Sequence, residues 1–238
     1  MVYSPSISKK MSIKKKIKKL IDRTPILQDW SSFHLTWHDV SFFKFLWKQI
    51  FPSFKNNIYY PYDKRSTVCG NLLIGKNVKL TQRGGCYIQG WGKVFIGDYV
   101  EITQNCIIIS SNHKLTNQAE SIFKETIIGD HCWIASNSLI MAGVVLGPRT
   151  VVAAGSVVTK SYPDGYCVVG GNPAKIIKEI PRDEFKPKHF EREMYGWIPA
   201  PKFRAYKEKH LQHLKFHYDL RKVTSNMELI EESIVENN

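Results

Sequence analysis

Long apolar runs are missing from this 238-residue chain, and none approaches the ~20 residues that a membrane-spanning helix needs. The N-terminus is basic, but no apolar stretch follows it, so no secretory signal is expected. Cysteine is sparse. Five residues are an odd number and no Cys-x-x-Cys pair occurs, which argues against cysteine-based zinc binding. They read as free thiols packed as small hydrophobes in a reducing compartment, hence a cytoplasmic location. Residues 1–69 also lack a Gly-rich strand–helix start of the nucleotide-binding kind. The net charge of +13 is unevenly spread. Residues 1–69 hold 13 Lys/Arg against 4 Asp/Glu, residues 70–172 hold 8 against 6, and residues 173–238 hold 13 against 11. The middle of the chain is therefore nearly neutral, and a basic groove tracking nucleic acid is not expected.

What is present is a period. Six hexapeptides run without a break from Ile128 to Pro163: IGDHCW, IASNSL, IMAGVV, LGPRTV, VAAGSV and VTKSYP. Four more rungs open at Ile74, Ile96, Ile102 and Ile108. A period of six fits neither a strand nor a helix alone. It fits a solenoid in which each short strand forms one side of a coil. The opener fills the interior. The fourth residue after it is small or β-branched in eight of ten rungs, for example Cys106, Cys132, Ser138 and Ser156, and is expected near a corner. Gly or Ala follows the opener in six rungs, where a tight bend is expected. The exceptions to the small-residue rule are Asn112, just before His113, and Tyr162, at the end of the repeat. A rule that fails beside a titratable side chain points to a functional site. A loop insertion without chemistry is the plainer alternative.

Three regions follow. Residues 1–69 form a basic arm and an aromatic-rich helical cap. In the arm, SKKMSIKKKIKKLI spaces Ile13, Ile17 and Leu20 as a helix among seven lysines, either a solvated arm or a helix lying on an anionic membrane. Twelve aromatics from Trp30 to Tyr62 predict short helices near 27–35 and 40–51. These read as a cap over the solenoid end or, alternatively, as a membrane-interface patch. Residues 70–178 form the solenoid. Openers Ile108 and Ile128 stand 20 apart where a full coil would need 18, so residues 114–126 read as a projecting loop. Residues 179–238 form a helical extension, with an amphipathic helix over 201–223 and an acidic tail. His210, His213 and His217 would share one face of that helix, an ordinary surface stripe rather than a metal site.

Three stretches carry a resemblance: IGDYVEITQNCIIISSNH, IIGDHCWIASNSLIMAGVVLGPRTVVAAGSVVTK and VVGGNPAKIIKEI. They resemble the hexapeptide-repeat acyltransferases of the left-handed parallel β-helix type. Within that family the chain looks most like bacterial O-acetyltransferases of capsule or lipopolysaccharide sugars. The resemblance implies a mainly β fold, a homotrimer with active sites between subunits, acetyl-CoA as donor and a glycan as acceptor.

Acetyl transfer to a hydroxyl needs a base to take the hydroxyl proton, and imidazole titrates in the suitable range. By resemblance His113 is that base. The backbone amide of Ser136 is the candidate oxyanion donor. The pantetheine arm would run along Ala154, with Thr159 and Lys160 at its outer portion. Lys175 and Lys178 stand where the family often carries Arg and would neutralise the 3′-phosphate with point charges, or they are simply a solvated basic end. Trp133 would pack on CoA, stack on a sugar or support a neighbouring subunit. Trp91 and Asn112 would shape the acceptor site. Among the rivals, a zinc enzyme of the γ-carbonic anhydrase kind needs three His, and residues 70–172 offer only His113 and His131, so no metal is expected. His131 reads as structural. A non-catalytic scaffold would not need His113 or the insertion. N-acetylation of an amino sugar would use the same base and donor site.

Overall fold

The structure is a computed structural model that describes residues 24–36, 40–50, 58–81, 83–187, 190, 192–230 and 233–235. The lysine-rich stretch of the N-terminal arm and the last three residues lie outside the described residues.

The centre of the molecule is a parallel β-solenoid with three faces. The first face stacks residues 72–74, 94–96, Thr126–Ile128 and Val145–Leu146. The second stacks Glu101–Ile102, Trp133–Ile134, Val151–Val152 and residues 168–169. The third stacks residues 67–70 and 87–89, then Ile107–Ile109, Leu139–Ile140 and Val157–Val158. Every predicted opener points inward and is buried, from Ile74 through Ile96, Ile134 and Val152 to Val158. Paired openers form aliphatic columns, such as Ile74, Ile96, Ile128 and Leu146. Apolar burial in these columns is the main favourable term for the fold.

At the corners the small fourth residue falls where expected and the glycine after the opener does not bend the chain. The chain turns at the third residue after the opener, which is left-handed at Asn77, Tyr99, Asn105, His131, Asn137 and Arg149. The small fourth residue lies just past that turn and is buried, as at Val100, Cys132 and Thr150. The glycine after the opener serves close stacking rather than bending. A Cβ on Gly97 would lie 2.7 Å from the amide nitrogen of Asp130 and 2.9 Å from the carbonyl carbon of Gly129 in the next coil. Only glycine allows coils to approach that closely.

The insertion is also larger than a two-residue excess. Ile108 lies on the third face and Ile128 on the first, so one side of a coil, not a whole coil, separates them. Paired Ile96 and Ile128 are 32 residues apart, against 18 for paired Ile128 and Leu146. The extra 14 residues fold as an antiparallel hairpin of Ser111–Lys114 and Asn117–Phe123.

Helix α1 (Pro25–Thr36) and helix α2 (Phe42–Ile50) fall close to the predicted spans. Phe33, Phe45, Met194 and Trp197 form a small separate core between them and the strands Met194–Tyr195 and Ile198–Pro199. That strand pair is tied to the first coil, where the amide of Asn77 donates to the carbonyl of Met194 at 2.8 Å. Tyr59 and Tyr60 join the main core beside Ile74.

The predicted helix over 201–223 is shorter. Helix α3 (Ala200–His210) stops where Leu211 leaves helical geometry. Leu211, Leu214 and Phe216 are all buried, and Phe216 instead bonds its amide to the carbonyl of Ser233 at 2.7 Å. Tertiary burial overrides helix propensity here. His210, His213 and His217 therefore do not share one helical face.

Candidate active site

The hairpin is staked at both feet. At one foot the buried Gln89 side chain donates from Nε2 to Ser111 Oγ at 2.7 Å, and its Oε1 accepts from the Ser110 amide at 3.2 Å. Ser110 Oγ donates to the carbonyl of Gln89 at 2.9 Å and accepts from the Gly92 amide at 2.9 Å. Across the base, the Lys124 amide donates to the Ser110 carbonyl at 2.8 Å. At the other foot Glu125 accepts from the amides of His217 and Tyr218 at 2.9 and 3.0 Å, and from Lys93 Nζ at 3.3 Å. Burial pushes its carboxyl up, yet these donors outweigh burial and hold it below the usual range. A single carboxylate thus joins the hairpin base to the C-terminal segment.

On this support Asn112 and His113 pair with Ile122 and Ser121, and both are exposed. Trp91, half exposed, precedes the Gly92 that bonds Ser110. These three residues gather where the third face ends. Thr159 and Lys160, also exposed, follow Val158 at the same edge on a later coil.

The opposite edge of the third face collects the remaining predicted donor residues. Ser136 and Ala154 occupy successive coils there, and the Gly155 amide donates to the Ser136 carbonyl at 2.9 Å. Ser136 Oγ lies 3.0 Å from Thr103 Oγ1. A Cβ built on Gly155 meets nothing within 4 Å, so this corner presents bare backbone. Trp133 stands on the adjoining second face between Glu101 and Val151, pointing outward. Above it, the strand Ala174–Glu179 carries exposed Lys175 and Lys178 opposite Gly170 and Val168. Small residues, open backbone and two exposed ammonium groups along one side suit an extended thiol carrier ending in phosphates.

The two groups lie at opposite edges of the third face, whose strands from Ile107–Ile109 onward have three residues or fewer and span about 10 Å. One chain therefore sets His113 and the Ser136 corner apart. His131 belongs to neither group. It stacks on Tyr99 at 5.0 Å and meets the edge of Phe185 at 4.9 Å.

Gln89 and Glu125 were not singled out from the sequence. For Gln89 the strand alternation gives no signal, since its neighbour Ile88 is the inward residue that pairs with Ile108. Their partners are 21 to 93 residues away, which a local pattern does not register. Four cysteines are buried and Cys69 is half-buried, and all five are free thiols. Among the described residues no cluster of His, Cys, Asp and Glu forms a metal-holding group, and no helix is long and apolar enough to cross a membrane.

Residues 125–160 match the family described as bacterial transferase hexapeptide (six repeats). A chloramphenicol acetyltransferase of Agrobacterium fabrum is 37% identical over 34% of this chain and 38% of its own length. The galactoside O-acetyltransferase of Escherichia coli is 35% identical over 41% of this chain and 49% of its own length. A hexapeptide-repeat acetyltransferase of Vibrio cholerae, solved with acetyl coenzyme A, is 27% identical with a TM-score of 0.46, covering 65% of this chain and 86% of that one. The chain spans less than half the length of the two curated relatives. It carries the bacterial transferase hexapeptide repeat, and these two relatives are named acetyltransferases.

Proposed function

We propose that this chain is an acetyl-CoA-dependent O-acetyltransferase acting on a sugar hydroxyl of a bacterial surface glycan or its precursor. The observation that carries the reading is the braced hairpin. It interrupts an otherwise regular hexapeptide solenoid and presents His113 on a fixed support. The galactoside O-acetyltransferase relative supports a sugar hydroxyl as acceptor.

In this reading His113 takes the acceptor hydroxyl proton as the oxygen attacks the thioester carbonyl. The Ser136 amide stabilises the tetrahedral oxyanion. Collapse of the intermediate expels the CoA thiolate, which recovers a proton from the imidazolium. Four of the five thiols are packed inside the coils, which supports direct transfer rather than an acetyl-cysteine intermediate. The donor lies along Ser136 and Ala154 beside Trp133, with Lys175 and Lys178 toward its phosphates. Trp91 and Asn112 flank the acceptor.

The separation of His113 from the Ser136 corner supports a site completed by a neighbouring copy in a homotrimer. Apolar exposure agrees with this. Leu115 at the hairpin tip is fully exposed, and Ile122, Phe123 and Ile107 are also open to solvent. Such residues need a partner surface.

The test is acetyl-CoA-dependent modification of a glycan panel, read by mass, alongside the oligomeric state in solution. A mass increase of one acetyl group on a sugar hydroxyl, by a trimer, is expected. Bound acetyl-CoA with acetylation confined to amino sugars would overturn the hydroxyl assignment. Failure to bind acetyl-CoA would overturn the enzyme reading.

A further inference from the structure

The two feet of the hairpin are held by different parts of the chain. The outgoing foot, Ser110 and Ser111, is held by Gln89 and Gly92 of the preceding coil, so it is a contact within the solenoid. The returning foot is Glu125, and its main-chain partners lie 92 and 93 residues further along the chain. Both carboxylate oxygens are engaged. Oε1 accepts from the His217 amide at 3.0 Å and from Lys93 Nζ at 3.3 Å, and lies 3.1 Å from His217 Nδ1. Oε2 accepts from the His217 and Tyr218 amides at 2.9 and 3.0 Å. Amides of the main chain are fixed donors, and bonds from them to a carboxylate are of the strong, charge-assisted kind.

The donor segment is itself immobilised. Phe216 is fully buried and meets Phe95 edge-on, with ring centroids 6.0 Å apart. Its amide donates to the Ser233 carbonyl at 2.7 Å, and its carbonyl accepts from the Val235 amide at 2.8 Å. Lys93 ties segment and hairpin together. Its Nζ reaches both Glu125 and the carbonyl of Lys215, and it lies 5.7 Å from the Phe216 ring. Lys93 does this from a backbone φ of 124°, in the region that favours glycine. Such a conformation persists in a lysine only where the surroundings over-determine it, and strain of this kind clusters at functional sites. Lys93 and Glu125 stand just outside the register between the two coils, which begins at Val94 and Thr126. Their bonds to each other and to the C-terminal segment therefore serve the hairpin rather than the ladder.

We propose that residues 215–218, acting through Glu125, are a positioning element of the candidate active site, and that Glu125 is the positioning residue that sets the reach of His113. This inference rests on the reading of His113 as the base. A hairpin held at one foot is free to tilt about that foot, and one held at both feet is not. His113 stands two residues beyond Ser111 on the outgoing strand. That is about 7 Å from the foot, so a tilt of about 10° would carry His113 by about 1 Å. A misplacement of that size costs about 10²-fold in rate, even when it originates far from the reacting atoms. The C-terminal extension thereby acts on turnover from outside the solenoid.

The test compares full-length wild type with Glu125→Ala in turnover, acetyl-CoA affinity, melting temperature and deuterium uptake. Turnover is read as CoA thiol released from acetyl-CoA, with the acceptor that the glycan panel identifies or, where it identifies none, with water. Below its melting temperature, Glu125→Ala is expected to lose about tenfold to a hundredfold in kcat at unchanged acetyl-CoA affinity. It is also expected to take up deuterium faster in residues 111–123. Glu125→Gln keeps an oxygen for the two amides and is expected to restore most of the turnover. If Glu125→Ala does not fold, Lys93→Met replaces it, since methionine keeps a side chain against Phe216 and removes Nζ; its kcat should fall in the same way. A role in stability alone would lower the melting temperature and leave the kcat of the folded variant at the wild-type value, which would overturn the proposal. Unchanged deuterium uptake in the hairpin, or a Glu125→Gln enzyme as slow as Glu125→Ala, would overturn it too. An inert wild type would overturn the acetyl-transfer reading and this assignment together, whereas an active wild type matched by Glu125→Ala would overturn this assignment alone.

Discussion

The solenoid interior is buried and the C-terminal segment that runs along its outside is largely open to solvent, and their packing is specified in different ways. In the interior each opener meets the same kind of neighbour above and below, as in the column Ile102, Ile134, Val152 and Val169. Outside, every contact is individual. Phe185 packs under the Arg149 guanidinium at 4.4 Å and against His131 at 4.9 Å. Phe190 stacks on Tyr99 at 5.9 Å, and Glu193 pairs with Lys76 at 2.7 Å. Arg149, His131 and Tyr99 are left-handed corner residues of successive coils, so the segment descends one corner of the solenoid. A periodic interior tolerates a varied exterior because the corner positions carry no packing duty inside the coil.

The sharpest way to break this comparison is to open a cavity in the interior. Ile134→Ala removes a fully buried side chain from the middle of a column. It should cost about 2–5 kcal/mol, read as a fall in the urea midpoint at unchanged slope. Phe185→Ala, on the outer segment, should cost about 1 kcal/mol by the same measurement, the scale of its aromatic and cation–π contacts. Equal costs would show that the corner segment is as much a part of the core as the columns.

The boundary between the two regions offers a pH-dependent effect. Asp98 accepts from the Lys76 amide at 2.8 Å and from Asn226 Nδ2 at 2.7 Å. Asp130 accepts from the Asp98 amide at 2.8 Å and from the Ser225 amide at 3.1 Å. Two carboxyls of the solenoid thereby latch the C-terminal chain. Burial, then the neighbouring Asp130, push Asp98 up to about 7, against the donors and Lys76, which pull it down. Burial also raises Asp130. A raised carboxyl binds its proton more tightly folded than unfolded. Its contribution is complete below the ordinary carboxylate range and is lost as pH rises to about 7. Asp98→Asn keeps an oxygen for Lys76 and Asn226 and cannot ionise. The variant should therefore gain stability relative to wild type between pH 5 and pH 8, on the order of two pKa units' worth or ~2.7 kcal/mol, measured by thermal unfolding at both values. A constant difference would assign no role to ionisation at the latch.

Much of this architecture was legible in the sequence because a six-residue period is a local signal. The openers and the existence of an insertion before Ile128 follow from it directly, and the two N-terminal helices follow from the aromatic-rich stretch before the repeat. The insertion was undersized in that reading because spacing alone does not reveal that Ile108 and Ile128 lie on adjacent faces. The glycines were legible as a pattern but not in their reason, since Gly97 is small for the sake of Gly129 and Asp130, 32 and 33 residues on. The end of α3 at His210 was hidden because LQHLKF keeps a helical rhythm while its apolar residues are recruited by the core. At the candidate site, His113 stood out where the period breaks. Gln89 and Glu125 did not, because the hydrogen bonds that make them supports exist only after the coil closes.

The most direct test of the central claim is the turnover of His113→Ala beside its affinity for acetyl-CoA, once an acceptor is in hand. His113 is exposed on a hairpin braced by other residues, so its loss should leave the fold and the donor site intact. The account predicts kcat lower by about 10²–10⁴ with acetyl-CoA affinity unchanged. Turnover equal to wild type at intact affinity would contradict it.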